Sequence, residues 1–149
     1  MSKKANLERS MHYLWSLEDA LDSADVMICT AATHCGVDDY NALTRVSLDI
    51  VERHAYETVI LIEERLQCLK GTMRYQVLHS GVDCLTRKIN LIFYSPNMKP
   101  DYWDPNNRNQ LHEISKNLES LIEYVRMLTG EFEKARALGA LYVIFENLT

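Results

Sequence analysis

The sequence predicts an all-α protein, an elongated antiparallel bundle of four to five long helices whose last helix is coiled-coil-like. Three observations carry this reading. Apolar residues recur on a seven-residue cadence along most of the chain. Breakers are few, and all three prolines fall between residues 96 and 105. The one segment with strand character, residues 89–94 (INLIFY), has no second segment to pair with.

The first helix is expected over about 5–35. Leu7, Leu14, Leu21, Ile28 and Cys35 form one row, and Ser10, Leu17, Ala24 and Ala31 a second row three residues on. Together they make an inward seam. Glu18, Asp19, Asp22 and Asp25 fall on the outer face. Gly36 is a natural stop and Asp38 a natural cap for the next helix.

The second helix is expected over 39–69, on the row Leu48, Ala55, Ile62 and Leu69 with Val51, Val59 and Leu66 in support. A further line of Leu43, Ile50, His54 and Leu61 widens the apolar arc, which predicts a helix more deeply buried than the first. His54 on that line reads as a hydrogen-bonded core histidine. Gly71 closes the helix, leaving a hairpin about 45 Å long at the helical rise.

Thr72 is placed to cap a third helix over 72–95, with Leu78, Val82, Leu85, Ile89 and Ile92 on one face. Ser80 and Gly81 are where it would kink or divide. A loop over 96–104 follows, carrying Tyr102 and Trp103. Asp104 as cap and Pro105 at the first helical position open the last helix, expected over 105–147. Its rows, Leu111, Leu118, Val125, Phe132 and Ile114, Leu121, Leu128, Ala135, stay in phase across Thr129 and Gly130. One helix of about 65 Å is therefore expected, longer than the hairpin. Its overhang, with Leu138, Leu141 and Phe145, is expected to pair with a second copy as a homodimer.

The 149 residues suit one domain, spanning 1–149. The first ten residues have no apolar core of a secretory signal, and no apolar run has membrane length, so a cytoplasmic protein with no membrane contact is expected. Net charge is −5, unevenly spread. Residues 1–64 hold 12 acids and 5 bases (−7), whereas residues 65–149 hold 9 acids and 11 bases (+2). Lacking a basic stripe, the chain is a poor candidate for nucleic acid and a better one for a protein with a basic surface.

The histidines and cysteines do not form a metal motif. Cys29, His34 and Cys35, and likewise Cys68, His79 and Cys84, lack the short Cys-x₂₋₄-Cys spacing of structural zinc. No histidine lies three residues after a glutamate, as di-iron bundles require. Neither metal nor cofactor is expected.

The stretch RNQLH, Arg108 to His112, resembles the Arg–polar–His motif that HEPN-type nucleases carry near the start of a late helix. Those nucleases are helical bundles that often work as dimers. The resemblance implies a ribonuclease using Arg108 and His112. Here three residues separate Arg from His, where that family usually has four to six. RYQVLH, Arg74 to His79, has the family spacing without the polar residue after Arg.

Composition and faces favour a different reading. The acidic face of the first helix, Glu18, Asp22 and Asp25, with Trp15 beside Asp19 and Asp22, is built as interface hot spots are, with an aromatic anchor among charges. Tyr102 and Trp103 add a second aromatic contact on the loop. The expected function is a non-enzymatic protein-binding modulator of the inhibitor, immunity or anti-defence type that occludes a partner surface. The alternatives are the nuclease and a structural homo-oligomer.

Overall fold

A computed structural model of the chain describes residues 2–35, 37–98 and 107–148, with the backbone alone described at 38, 39, 97 and 141–148. Four α-helices account for nearly all of it: α1 (Lys3–Thr33), α2 (Asp38–Leu69), α3 (Tyr75–Phe93) and α4 (Arg108–Leu148). Helix α1 lies between α2 and α4, and α3 closes the bundle by packing on both of those. Arg108 reaches Ala32 near the end of α1 and Arg136 reaches Glu8 near its start, so α4 runs antiparallel to α1. The result is an up-down-up-down bundle around a single buried cluster.

Both seam rows of α1 are inside: Leu14, Leu17, Leu21, Ile28 and Ala31 are fully buried. Ser2 caps the helix, its hydroxyl accepting the Ala5 N–H at 3.1 Å. At the other end the Arg108 Nε–H donates to the Ala32 carbonyl at 2.9 Å, satisfying one of the acceptors that a helix end leaves free. Cys35 of the expected row falls beyond the last turn and is half-buried.

Helix α2 buries its first row, Leu48, Val51, Ala55, Val59, Ile62, Leu66 and Leu69, as expected. The wider arc is buried only in part: His54 and Leu61 are half-buried beside α1, and the rest is exposed. Leu43 is 49% exposed and Ile50 56%, together with Val46 and Ile60 at 55% each. The reason is geometric. At 100° per residue these side chains point away from the core row, and no described helix covers that side. α2 is thus less enclosed than α1, the reverse of expectation. Asp38 is the first helical residue rather than the cap, since the chain re-enters the helix early and Val37 holds the cap position without a side-chain bond.

Gly71 adopts φ +95° after α2, the left-handed turn that glycine makes without strain. Thr72 does not cap α3. Its N–H is taken by Leu69 and its carbonyl by Tyr75, so the helix begins three residues later, with Arg74 at the cap position. α3 passes Ser80 and Gly81 unbroken, which makes four α-helices among the described residues. Phe93, at 2% exposed, fills the position expected of Ile92, which is half-buried. A short 3-10 turn, Pro96–Met98, then tucks Met98 into the core.

α4 runs 41 residues without a break at Gly130. Its two rows from Leu111 to Ala135 are buried throughout. Asn107 caps it, accepting the Gln110 N–H at 3.3 Å; Asp104 and Pro105, the expected cap, lie outside the described residues. With Arg136 already level with Glu8, the last turns of α4 run past the start of α1.

Across the α3–α4 junction the Arg74 guanidinium binds the Glu131 carboxylate, both partly buried. The hydrogen bond from Arg74 holds the Glu131 carboxyl below its ordinary range. A depressed folded-state value stabilises the fold above the unfolded carboxylate's value and loses that contribution as pH falls through the folded one. Glu131→Gln is therefore expected to lower stability by about 1–2 kcal/mol near pH 7 and by much less at about pH 3. Urea denaturation at the two pH values measures this, and an equal loss at both would contradict it.

Candidate protein-binding face

Trp15 stands 40% exposed on α1, on the face it shares with His12 and Asp19. The His12 ring meets it edge-on, with centroids 5.2 Å apart and planes at 80°. Helical spacing places Glu18 and Asp19 one turn from it and Asp22 two turns on. Asp19 is open to solvent.

The other carboxylates are less open than the sequence suggests. Glu18 forms an ion pair with Arg126 of α4 at 3.3 Å, and Asp22 lies 3.8 Å from the same guanidinium. Asp25 accepts the Ser115 hydroxyl at 2.5 Å, with the Cys29 thiol 3.9 Å away. These three acids line the α1–α4 rim, where α4 supplies the partners. The antiparallel course of α4 causes this, and nothing within α1 signals it. One guanidinium facing Glu18 and Asp22 still leaves a surplus of negative charge beside Trp15. Tyr102 and Trp103 lie outside the described residues, as do the side chains of Leu141 and Phe145; Leu138 is half-buried on α4.

The two Arg–His pairs are held differently. Arg108 spends its Nε–H on the α1 terminus, while His112 is exposed one turn on. Arg74 is tied to Glu131, while the His79 ring lies tilted against Tyr75 at 5.8 Å and 3.4 Å from Asp83. In both cases the arginine braces a helix end and the histidine faces outward.

A second polar arrangement, absent from the sequence reading, lies between α1 and α2. The Ser16 hydroxyl and His54 Nε2 meet at 3.3 Å in a groove of about 220 Å³ lined also by Tyr13, Glu57, Thr58 and Leu61. His54 is half-buried and satisfied, close to its expected role. A serine–histidine pair needs free N–H donors to hold an oxyanion. Ser16 and His54 sit mid-helix, where backbone N–H groups are bound within the helices. The contact therefore reads as a polar clasp between two helices.

Compared with known proteins, the chain matches no family model, no curated protein and no solved structure. Its class is set by architecture alone, an up-down-up-down four-helix bundle with an aromatic-centred acidic face. Among the described residues no helix is long and apolar enough to cross a membrane.

Proposed function

We propose that this bundle is a non-enzymatic, cytoplasmic protein-binding modulator that occludes a basic surface of another protein, as inhibitors, immunity proteins and anti-defence proteins do. The observation that carries this is Trp15, a large ring left 40% exposed on a rigid helix among acidic side chains. An anchor held on a preformed helix loses little freedom on binding. The surrounding carboxylates steer a basic partner toward it. Binding lets a partner's arginine or lysine take over the carboxylates that Arg126 shares in the free protein.

The test is affinity capture from the native host with the wild type and with a Trp15→Ala/Asp19→Arg variant. The supporting result is a partner held by the wild type and weakened at least about 30-fold in the variant, with coincident thermal melts. Equal retention by both proteins removes this face from the reading. RNA cleavage by the purified chain, lost in His112→Ala, replaces the reading with the nuclease.

A further inference from the structure

The outer side of α2 carries a seam that no described helix covers. Positions 43, 46, 50, 53, 57 and 60 alternate in steps of three and four, the spacing that keeps side chains on one face of a helix. Four of them are apolar and about half exposed: Leu43, Val46, Ile50 and Ile60. The other two, Arg53 and Glu57, are exposed. Single exposed apolar residues are ordinary on any protein surface. Four in register along about five turns of one helix form a patch, and patches of this kind mark interfaces.

We propose that this seam is covered by the α2 seam of a second copy of the chain, running antiparallel. The charges decide both the occupant and the direction. In a parallel pair, Arg53 would face Arg53 and Glu57 would face Glu57, so like charges would meet along the seam. In an antiparallel pair with its two-fold axis between positions 51 and 52, Leu43 meets Ile60 of the second copy and Ile50 meets Arg53. Val46 then packs on the methylene stem of Glu57, whose carboxylate stays at the edge beside Arg53 of its own helix.

In that register Asp49 comes one residue from the level of Arg53 across the axis, and both lie on the same flank. Asp49 and Arg53 already form an ion pair within each copy, on side chains 61% and 71% exposed. The dimer joins the two pairs into a ring of alternating charges. A face that in reverse pairs Leu43 with Ile60, sets Ile50 and Val46 on the stems of Arg53 and Glu57, and brings Asp49 beside Arg53 fits its own copy.

This places self-association on α2, away from the end of α4, and it is independent of the Trp15 face. A seam of one helix per copy is small beside the roughly 800 Å² per partner of a standard interface. The dimer is accordingly weak, with dissociation in the range of about 10 μM.

Analytical ultracentrifugation of the full chain over about 1–500 μM tests this directly. The expected result is a shift from 17.3 kDa toward twice that mass as concentration rises. Ile50→Asp is expected to stay monomeric throughout with unchanged helical circular dichroism, because Ile50 is 56% exposed. Asp49→Arg and Arg53→Asp are each expected to weaken the dimer at least about tenfold, and the double swap to restore it to within about threefold.

Direction is read by disulfide capture with the four native cysteines replaced by serine. Chains with Leu43→Cys and chains with Ile60→Cys are expected to cross-link when mixed and not alone. Cross-linking of Leu43→Cys chains with each other would establish the parallel arrangement and overturn the register. A monomer at every concentration, or a dimer indifferent to Ile50→Asp, would overturn the interface. A dimer lost instead in Leu138→Asp would assign it to α4.

Discussion

Phe132→Ala is expected to remove about 3–5 kcal/mol, a large part of the roughly 5–15 kcal/mol that holds a domain folded. Phe132 is fully buried and is one of the two bulkiest of the fully buried side chains. It extends the row of Leu118 and Val125 into the part of α4 that runs beside the first half of α1. Truncation there loses the transfer of a ring out of water and leaves a cavity between rigid helices that cannot collapse to fill it. For a chain of this length the thermal midpoint should fall by about 10 °C or more. Met127→Ala, on the same helix at 51% exposed, should change stability by about 0.5 kcal/mol at most. Urea denaturation of the two variants beside the wild type measures the contrast. Similar losses in both would mean that the inward and outward faces of α4 are misassigned.

The faces of α1 and α4 were legible in the sequence because a row of side chains seven residues apart must share one side of a helix. Gly130 did not disturb the phase of α4 for the same reason, and the helix runs through it. Periodicity says which side is buried but not how wide the buried arc is. Leu43 and Ile50 lie at the arc's far edge, where burial needs a neighbour that the fold does not supply on that side of α2. Caps were read unevenly. Ser2 caps α1 where no cap was expected, while Asp38 falls inside α2 and Thr72 ahead of α3, since a capping side chain matters only where the backbone leaves the helix, and that point is set by tertiary packing.

The candidate face divided along the same line. Trp15 was recognisable as an exposed aromatic because it is out of phase with both inward rows of α1. The pairing of Glu18 and Asp22 with Arg126 was not, since it joins residues more than a hundred positions apart. The Ser16–His54 clasp and the close approach at Gly81 were hidden for that reason too. Each depends on how two helices are set against one another, and a single sequence gives no register between helices.

Gly81→Val is expected to destabilise the fold by about 3 kcal/mol, although glycine is a poor residue for the middle of a helix. A Cβ at position 81 would stand 2.5 Å from Cδ1 of Leu128 on α4. Leu128 is fully buried and has no solvent to swing into, so either its side chain repacks inside the core or α3 moves outward. The same approach lets the Tyr124 hydroxyl donate to the Gly81 carbonyl at 2.8 Å. Burial, with Cys84 close by, pushes Tyr124 up to about 12. A raised folded-state value means that this contribution is fully present below the unfolded tyrosine's value near 10 and is lost as pH rises toward 12. Gly81→Val should therefore show a second signature, a Tyr124 that ionises closer to its ordinary range in an alkaline absorbance titration compared against Tyr124→Phe. Gly81→Ala should lose less, about 1 kcal/mol, because the gain in helix propensity offsets part of the clash. Gly130 is the control, a glycine inside α4 with nothing within 4 Å of an added Cβ. Gly130→Ala should stabilise by about 0.5–1 kcal/mol through propensity alone. Opposite signs at the two glycines would show that the contact between α3 and α4 controls position 81; a gain at both would mean that these helices do not approach as closely as the Gly81–Leu128 distance requires.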